Sequence, residues 1–102
     1  MVSRESNQCY SFLCNHLDFV CTGQTKNVLA KVDQYLEEAG TDKSRLLTST
    51  VWLKDIERDF GAMNDVWNAW IDPGNKPVRA TTEASLATPK LLVEVQVTAA
   101  LD

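Results

Sequence analysis

The chain has 102 residues, a length that corresponds to one domain with a modest core. Its 14 acidic and 10 basic side chains leave a net charge of −4, and the basic residues are scattered, which argues against a protein that binds nucleic acid or an anionic membrane surface. The sequence contains no 18-residue apolar stretch and no apolar segment behind its N-terminus, so neither a transmembrane helix nor a secretory signal peptide is expected.

The cysteines indicate a compartment rather than a site. Cys9, Cys14 and Cys21 form an odd set without a signal peptide, which favours reduced thiols in the cytoplasm. His16 lies among them, but their spacing contains no Cys-x-x-Cys pair. We therefore expect no bound metal ion.

Residues 1–21 form an N-terminal region with a hairpin pattern. Residues 1–9 are polar, and two short apolar runs follow within residues 10–21. Asn15 and His16 separate these runs and suit a turn. The pattern predicts two short strands.

An amphipathic helix follows. Thr22 or Thr25 is a candidate N-cap, and Gly40 suits the position just beyond the C-terminus. The apolar positions repeat at helical spacing and predict one buried stripe. The stripe consists of Val28, Leu29, Val32, Tyr35 and Leu36.

The middle of the chain predicts a strand, a helix and a turn. Residues 47–53 alternate and are rich in β-branched side chains, which indicates a strand. Asp59 suits the N-cap of a helix over residues 60–70, and residues 72–77 have the composition of a turn. The apolar stripe of this helix is interpreted as core packing. It consists of Phe60, Met63, Trp67 and Trp70.

Two amphipathic strands are predicted at the C-terminus. Residues 78–85 and 91–99 both alternate, and Pro89 separates them, which indicates a hairpin or a short connection. Each strand has an apolar face and a polar face. The charged residues of the polar faces are Arg79, Glu83 and Glu94. One polar sheet face with these groups is expected to be either solvated or a site.

The element order predicts a single α+β domain over residues 1–102. Its strands form one mixed or antiparallel sheet, and two helices cover one face of it. Two helices leave the other face free, and that face is too mixed in character for an ordinary exposed surface. We expect it to contact partner subunits.

The sequence resembles the RidA (YjgF) family of reactive-intermediate deaminases over roughly residues 22–100. No single motif is specific, but the set in this order is. The matching segments are Ala39-Gly40, Thr50-Val51-Trp52-Leu53, Lys54-Asp55, Asp59-Phe60, Ala62-Met63-Asn64, Trp67-Asn68-Ala69-Trp70, Pro77-Val78-Arg79 and Val93-Glu94-Val95. The turn at residues 72–75 resembles the shorter branch of the family.

The resemblance implies a chorismate-mutase-like fold and a homotrimer with a small cleft between each pair of subunits. It also implies hydrolysis of small enamines and imines, such as 2-aminoacrylate, to 2-keto acids and ammonia, without a metal or cofactor. The alternative is a trimeric protein that binds keto acids or regulates without turnover. A ribonuclease activity is ascribed to some members, and the acidic charge disfavours it here.

The resemblance assigns roles to five residues. Arg79 matches the arginine that binds the substrate carboxylate, and Glu94 matches the glutamate that holds or activates water. Thr81 stands where many members have cysteine and where the backbone contacts the ligand. Asn64 matches a helix asparagine near the cleft, and Gly23 resembles a glycine at a strand end whose backbone approaches the ligand.

Several features leave alternatives open. Gly23 and Gln24 match either the strand end or the helix start of the family, because the dozen residues that separate these positions are missing. Residues 1–21 match the family hairpin poorly and form an atypical N-terminal region. Arg79 can instead pair with Glu83 or Glu94 as a structural arginine, and Glu94 can serve in a cross-strand or inter-subunit ion pair.

Overall fold

The computed structural model describes the backbone of residues 7–13 and the full residues 21–101. Within these residues the chain runs through four strands and two α-helices. In order they are β1 (Asn7–Leu13), α1 (Cys21–Glu38), β2 (Leu46–Leu53), α2 (Ile56–Trp70), β3 (Val78–Glu83) and β4 (Val93–Ala100). A short 3₁₀ turn, Lys43–Arg45, leads into β2. The turn predicted at Asn15 and His16 lies outside the described residues.

The strands form one mixed sheet in the order β1-β4-β2-β3. Strand β4 is antiparallel to both β1 and β2, whereas β3 runs parallel to β2. Parallel neighbours need a crossover, and α2 supplies it between β2 and β3. The predicted α+β class is confirmed, but a hairpin between the two C-terminal strands is wrong because β2 lies between them.

Both helices pack on the apolar face of the sheet, to which β4 contributes its buried side chains. Burial alternates along β4, and the register pairs Val51 with Val95 and Leu53 with Val93, so these four side chains share one face. They join apolar residues of α1 and α2 in one core cluster. The second face of the sheet carries Trp52 opposite Glu94 and Thr50 opposite Gln96. No helix of residues 21–101 is long and apolar enough to cross a membrane.

Helix α1 begins earlier than its sequence predicts and ends where predicted. Cys21 is its first residue, and the Thr25 hydroxyl donates to the Cys21 carbonyl at 2.7 Å. Thr22 and Thr25 therefore lie inside the helix, so the prediction that one of them is its N-cap is wrong. At the other end Gly40 has a φ of 82°. Hydrogen bonds from Gly40 N to Glu37 O and from Thr41 N to Leu36 O, at 3.0 and 2.9 Å, complete a Schellman motif there.

Helix α2 also begins earlier than predicted. Asp55 is its N-cap and accepts from Arg58 N at 3.1 Å, so the prediction of Asp59 is wrong. The Asp59 carboxylate is buried within the first turn, where it accepts from Arg58 Nε at 3.0 Å and Nη2 at 2.9 Å. Glu83 at the end of β3 accepts from Ile56 N at 3.1 Å and so ties the helix start to the edge strand.

A buried amide fixes the connection between β3 and β4. Gln24 on α1 is 1% exposed. Its Nε2 donates to the Lys90 carbonyl and its Oε1 accepts from Leu92 N, both at 2.8 Å. The side chain therefore pairs with the backbone as a strand residue would, and it anchors the chain just ahead of Glu94.

The Schellman motif predicts that Gly40→Ala lowers the free energy of unfolding by about 1 kcal/mol, because an L-residue is strained at positive φ. Gly61→Ala is the matched control, since it lies inside α2. An added Cβ meets nothing within 4 Å at either position. The control should raise the free energy of unfolding by about 0.5 kcal/mol through helix propensity. Urea denaturation measures both, and equal shifts in the two variants would contradict the assignment.

Candidate functional site

Arg79 lies on the helix-covered face of the sheet, at its open edge. The parallel register pairs Arg79 with Ser49 and Thr81 with Val51, and paired residues in neighbouring strands point the same way. Ser49 and Val51 are both buried against the helices. Arg79 therefore projects toward α2, where its Cζ lies 5.4 Å from the Trp67 ring centroid and 5.8 Å from that of Phe60.

The charge of Arg79 has no carboxylate partner among residues 21–101. Arg79 therefore does not pair with Glu83 or Glu94 of its own chain, and the alternative of an interfacial arginine paired with a glutamate of another copy stays a prediction. Burial lowers the pKa of Arg79 because the guanidinium has lost part of its hydration. An arginine stays protonated at neutral pH even so, and its N–H donors are available to an anion.

Thr81 places an unpaired hydroxyl beside this guanidinium. Its Oγ1 is buried and has no hydrogen-bond partner within the described part of the chain. Residues two apart on a strand share a face and are about 7 Å apart, so Arg79 and Thr81 line the same strip of the edge. A buried hydroxyl without a partner is unfavourable, and a polar ligand at this strip offers it one.

Asn64 lies on the stripe of α2 that faces Arg79. Phe60, Asn64 and Trp67 are spaced at i, i+4 and i+7, which places them along one side of the helix. Because Arg79 contacts the first and last of these three, the half-buried Asn64 lies between its two contacts. Arg79 and Thr81 thus lie on the edge strand and Asn64 on the helix that Arg79 contacts, and a shared role of the three in one site stays a prediction.

Glu94 lies on the other face of the sheet. It pairs with Trp52 in the β2–β4 register, and Trp52 points away from the helices, whereas the paired residues Leu53 and Val93 point toward them. The prediction of one polar face with Arg79, Glu83 and Glu94 is therefore wrong. The two C-terminal strands are not neighbours, so their separate alternations do not align charged residues on one side.

Gly23 lies in the first turn of α1, not at the end of a strand. The helix-start alternative for Gly23 and Gln24 is the correct one, and a contact between the Gly23 backbone and a ligand stays a prediction. The family resemblance also implies an aromatic residue from residues 1–21 in the wall of the cleft, for which Tyr10 and Phe19 are candidates, and neither side chain is among those described. The same holds for Cys9, Cys14 and His16, and residues 21–101 contain no group of three or more metal-ligating side chains.

Sequence reasoning missed the aromatic surroundings of Arg79. It assigned the whole stripe of α2 to the core, and Met63 and Trp67 are indeed buried, but Phe60 is 39% exposed. The order of elements could have indicated this contact. A helix that connects two parallel strands packs across them, so Phe60 and Trp67, which are seven residues apart on α2, meet the face of β3.

The site is an open edge rather than an enclosed cavity. A cavity of about 550 Å³ lies under residues 84–89 beside Lys54, and an apolar groove of about 270 Å³ separates α1 from α2 next to Trp70. Arg79 lines neither of them. A ligand held by Arg79 therefore needs a second surface to enclose it.

These features define a chorismate-mutase-like α+β domain with an arginine at its sheet edge that has no carboxylate partner among residues 21–101. The family model described as endoribonuclease L-PSP matches residues 16–101. The RutC family protein YoaB of Escherichia coli is 42% identical over 90% of this chain and 80% of its own length. A RutC family protein of Haemophilus ducreyi is 46% identical over 78% of this chain and 67% of its own.

A solved structure agrees with these sequence relatives. NMB1025 of Neisseria meningitidis, a member of the YjgF protein family, superposes with a TM-score of 0.90 at 35% identity, over 95% of this chain and 81% of its own. The chain therefore belongs to the YjgF/RidA family, which the L-PSP family model and the RutC name also describe.

The unpaired Thr81 hydroxyl predicts that Thr81→Val raises the free energy of unfolding by about 1 kcal/mol, because it removes a buried polar group and keeps the shape. Thr82→Val is the control. Thr82 is exposed on the opposite side of the same strand, so its change should stay within about 0.5 kcal/mol. Thermal and urea unfolding measure both variants, and a destabilised Thr81→Val would show that the hydroxyl has a partner.

Proposed function

We propose that this protein hydrolyses small reactive imines and enamines that carry a carboxylate, such as 2-aminoacrylate in its 2-iminopropionate form, to 2-keto acids and ammonia. The observation that carries the proposal is Arg79: a half-buried guanidinium without a carboxylate partner among residues 21–101, at the edge of the sheet. The family of the chain supports a role of this general kind.

Arg79 binds the substrate carboxylate in this proposal. A planar guanidinium offers two parallel N–H donors to a carboxylate, a geometry that lysine cannot copy. Its partial loss of water strengthens the attraction, since charges interact more strongly where the dielectric is low. In this proposal the Thr81 backbone on the same strip and the Asn64 amide on α2 supply polar contacts to the rest of a small substrate. A backbone contact from Gly23 rests on the family likeness alone.

The chemistry needs one water and one group that moves protons. Water adds to the electrophilic carbon of the C=N bond, the nitrogen takes up a proton, and the C–N bond of the resulting carbinolamine breaks to release ammonia and the keto acid. A carboxylate that accepts a proton from the water and returns it to the nitrogen serves both steps. Glu94 is the residue we assign to this role, and no metal or cofactor is required.

A complete site then takes residues from two copies of the chain. Arg79 and Glu94 project from opposite faces of one sheet, so one chain does not present both to the same small molecule. The face that carries Glu94 has no helix over it among the described elements, and a neighbouring copy that packs there brings its own Arg79 edge toward Glu94. The proposed assembly is a homotrimer with a cleft at each interface.

The second candidate function is binding of keto acids without turnover. The same placement of Glu94 favours it, because Arg79 and its neighbours form an anion site that needs no glutamate. Saturable binding of pyruvate that depends on Arg79, with no imine hydrolysis, would select this alternative.

We do not propose a ribonuclease, although the family model has that name, because the chain has a net charge of −4 and scattered basic residues.

Arg79→Ala should lower kcat/KM for 2-aminoacrylate generated in situ by about 100-fold, because a buried charge-assisted contact is lost. Arg79→Lys should recover little of this loss, since an ammonium lacks the paired donors. Lys76→Ala removes an exposed cation three residues earlier and should leave the rate unchanged. Ammonia and keto-acid release measure the effect. An Arg79→Ala variant as fast as the wild type would contradict the proposal.

If each site combines Arg79 of one copy with Glu94 of another, two variants that each lack one of these groups should complement each other. Arg79→Ala and Glu94→Gln should each be inactive, and a refolded equimolar mixture should regain about a quarter of the wild-type rate, because one site in four then combines an intact arginine with an intact glutamate from its neighbour. Light scattering should give about three times the 11.4 kDa chain mass. A mixture that stays inactive, or a protein that remains an 11.4 kDa monomer, would contradict the shared site.

A further inference from the structure

We propose that Phe60 and Trp67 are positioning residues that hold the Arg79 guanidinium through cation–π contacts, so that no carboxylate of the same chain is needed to hold it and its charge stays available to an incoming carboxylate. The inference rests on the proposed function, since it assigns the means by which that site keeps its anion-binding group in place. It concerns two side chains that touch Arg79 and not the reacting atoms.

The two rings come from one helix and differ in their freedom to move. The Arg79 Cζ lies 5.4 Å from the Trp67 centroid and 5.8 Å from the Phe60 centroid, both within the range of a cation–π contact. Trp67 is 5% exposed and packs against Trp70 with their ring centroids 5.3 Å apart. Phe60 is 39% exposed. A fixed ring and an outer ring therefore hold the guanidinium between core and solvent.

Aromatic rings suit the task of holding the guanidinium because of the direction of its N–H donors. All five N–H groups lie in the plane of the guanidinium, and an aromatic ring attracts the cation through its electron-rich face without forming the paired N–H···O bonds that a carboxylate forms. A carboxylate partner would stabilise the charge equally well, but it would occupy the donors. An incoming substrate carboxylate would then have to displace it.

Two carboxylates on the elements next to Arg79 have hydrogen-bond partners of their own. Glu83 lies on the same strand and face, but it accepts from Ile56 N at 3.1 Å. Asp59 precedes Phe60 and accepts hydrogen bonds from Arg58 Nε and Nη2, at 3.0 and 2.9 Å. These hydrogen bonds occupy Glu83 and Asp59, whereas Arg79 contacts the two rings.

The test compares three variants of the assembled protein by calorimetric titration with pyruvate and 2-oxobutyrate. Phe60→Leu keeps an apolar side chain without a π face and should weaken binding about threefold to thirtyfold. Phe60→Tyr keeps the face and should restore wild-type affinity. Tyr35→Leu is the matched control, because Tyr35 is 43% exposed on α1 and its loss should leave affinity unchanged. Equal affinity of Phe60→Leu and wild type would overturn the inference.

A second measurement needs no ligand. The Arg79 Nε–H resonance, identified by its absence from Arg79→Lys, should be shifted upfield by the two ring currents in the wild type. It should move toward the free-arginine position in Phe60→Leu and remain in Phe60→Tyr. If the wild type binds neither keto acid, the proposed function fails. The resonance still decides the inference: a shift that Phe60→Leu abolishes supports it, and a shift that the variant leaves unchanged overturns it.

Fluorinated tryptophan tests the inner ring without changing its shape. Fluorine withdraws electron density from the face, so labelled protein should bind both keto acids more weakly than unlabelled protein. Because the label also enters Trp52 and Trp70, labelled Trp67→Phe is the control for the effect of those two rings. Its affinity should equal that of unlabelled Trp67→Phe. Labelled and unlabelled wild type with the same affinity would overturn the role of Trp67.

Discussion

The parallel pairing of β3 with β2 decides where Arg79 lies and what surrounds it. A parallel pair requires a crossover, and α2 is the crossover, so the helix must pack across the strand that it precedes. Because paired residues share a face, the register that sets Arg79 opposite Ser49 directs the guanidinium toward α2 and away from the open face. The aromatic contacts of Arg79, its separation from Glu94 and its edge position all follow from this pairing.

The edge position of Arg79 explains a combination that is uncommon in a small domain. A half-buried cation normally has a carboxylate partner, because desolvation without compensation is costly. Here the compensation comes from two ring faces, while Glu83 and Asp59 bind the start of α2. The same strip contains the unpaired hydroxyl of Thr81. The domain thus accepts two local costs at one edge, which is a pattern typical of binding sites.

The opposite faces of Arg79 and Glu94 connect the chemistry to assembly. A four-stranded sheet with helices on one side leaves the other side without a covering layer among the described elements. In the proposed homotrimer that side becomes the interface, and the interface completes the site. Catalysis and association then depend on the same surface, so a change on the open face alters both together.

The sequence by itself determined the elements, the α+β class and the family. Periodicity located both helices and the strands within a few residues, since one buried face imposes a period that local residues reveal. The segments from Ala39-Gly40 to Val93-Glu94-Val95 carried the family likeness, which the relatives confirm. The sequence also indicated Arg79, Thr81 and Asn64, and the fold places the first two on the edge strand and Asn64 on the helix that Arg79 contacts.

Only the tertiary structure decided which strands are neighbours. Alternation states that a strand has two faces, but not which face meets the helices, because that depends on pairing between distant segments. Arg79 and Glu94 were therefore placed together from pattern, and β2 between their strands separates them. Contacts between remote segments accompany the early helix starts at Cys21 and Ile56, because Gln24 and Glu83 bind backbone groups distant in sequence, and such contacts leave no local signal.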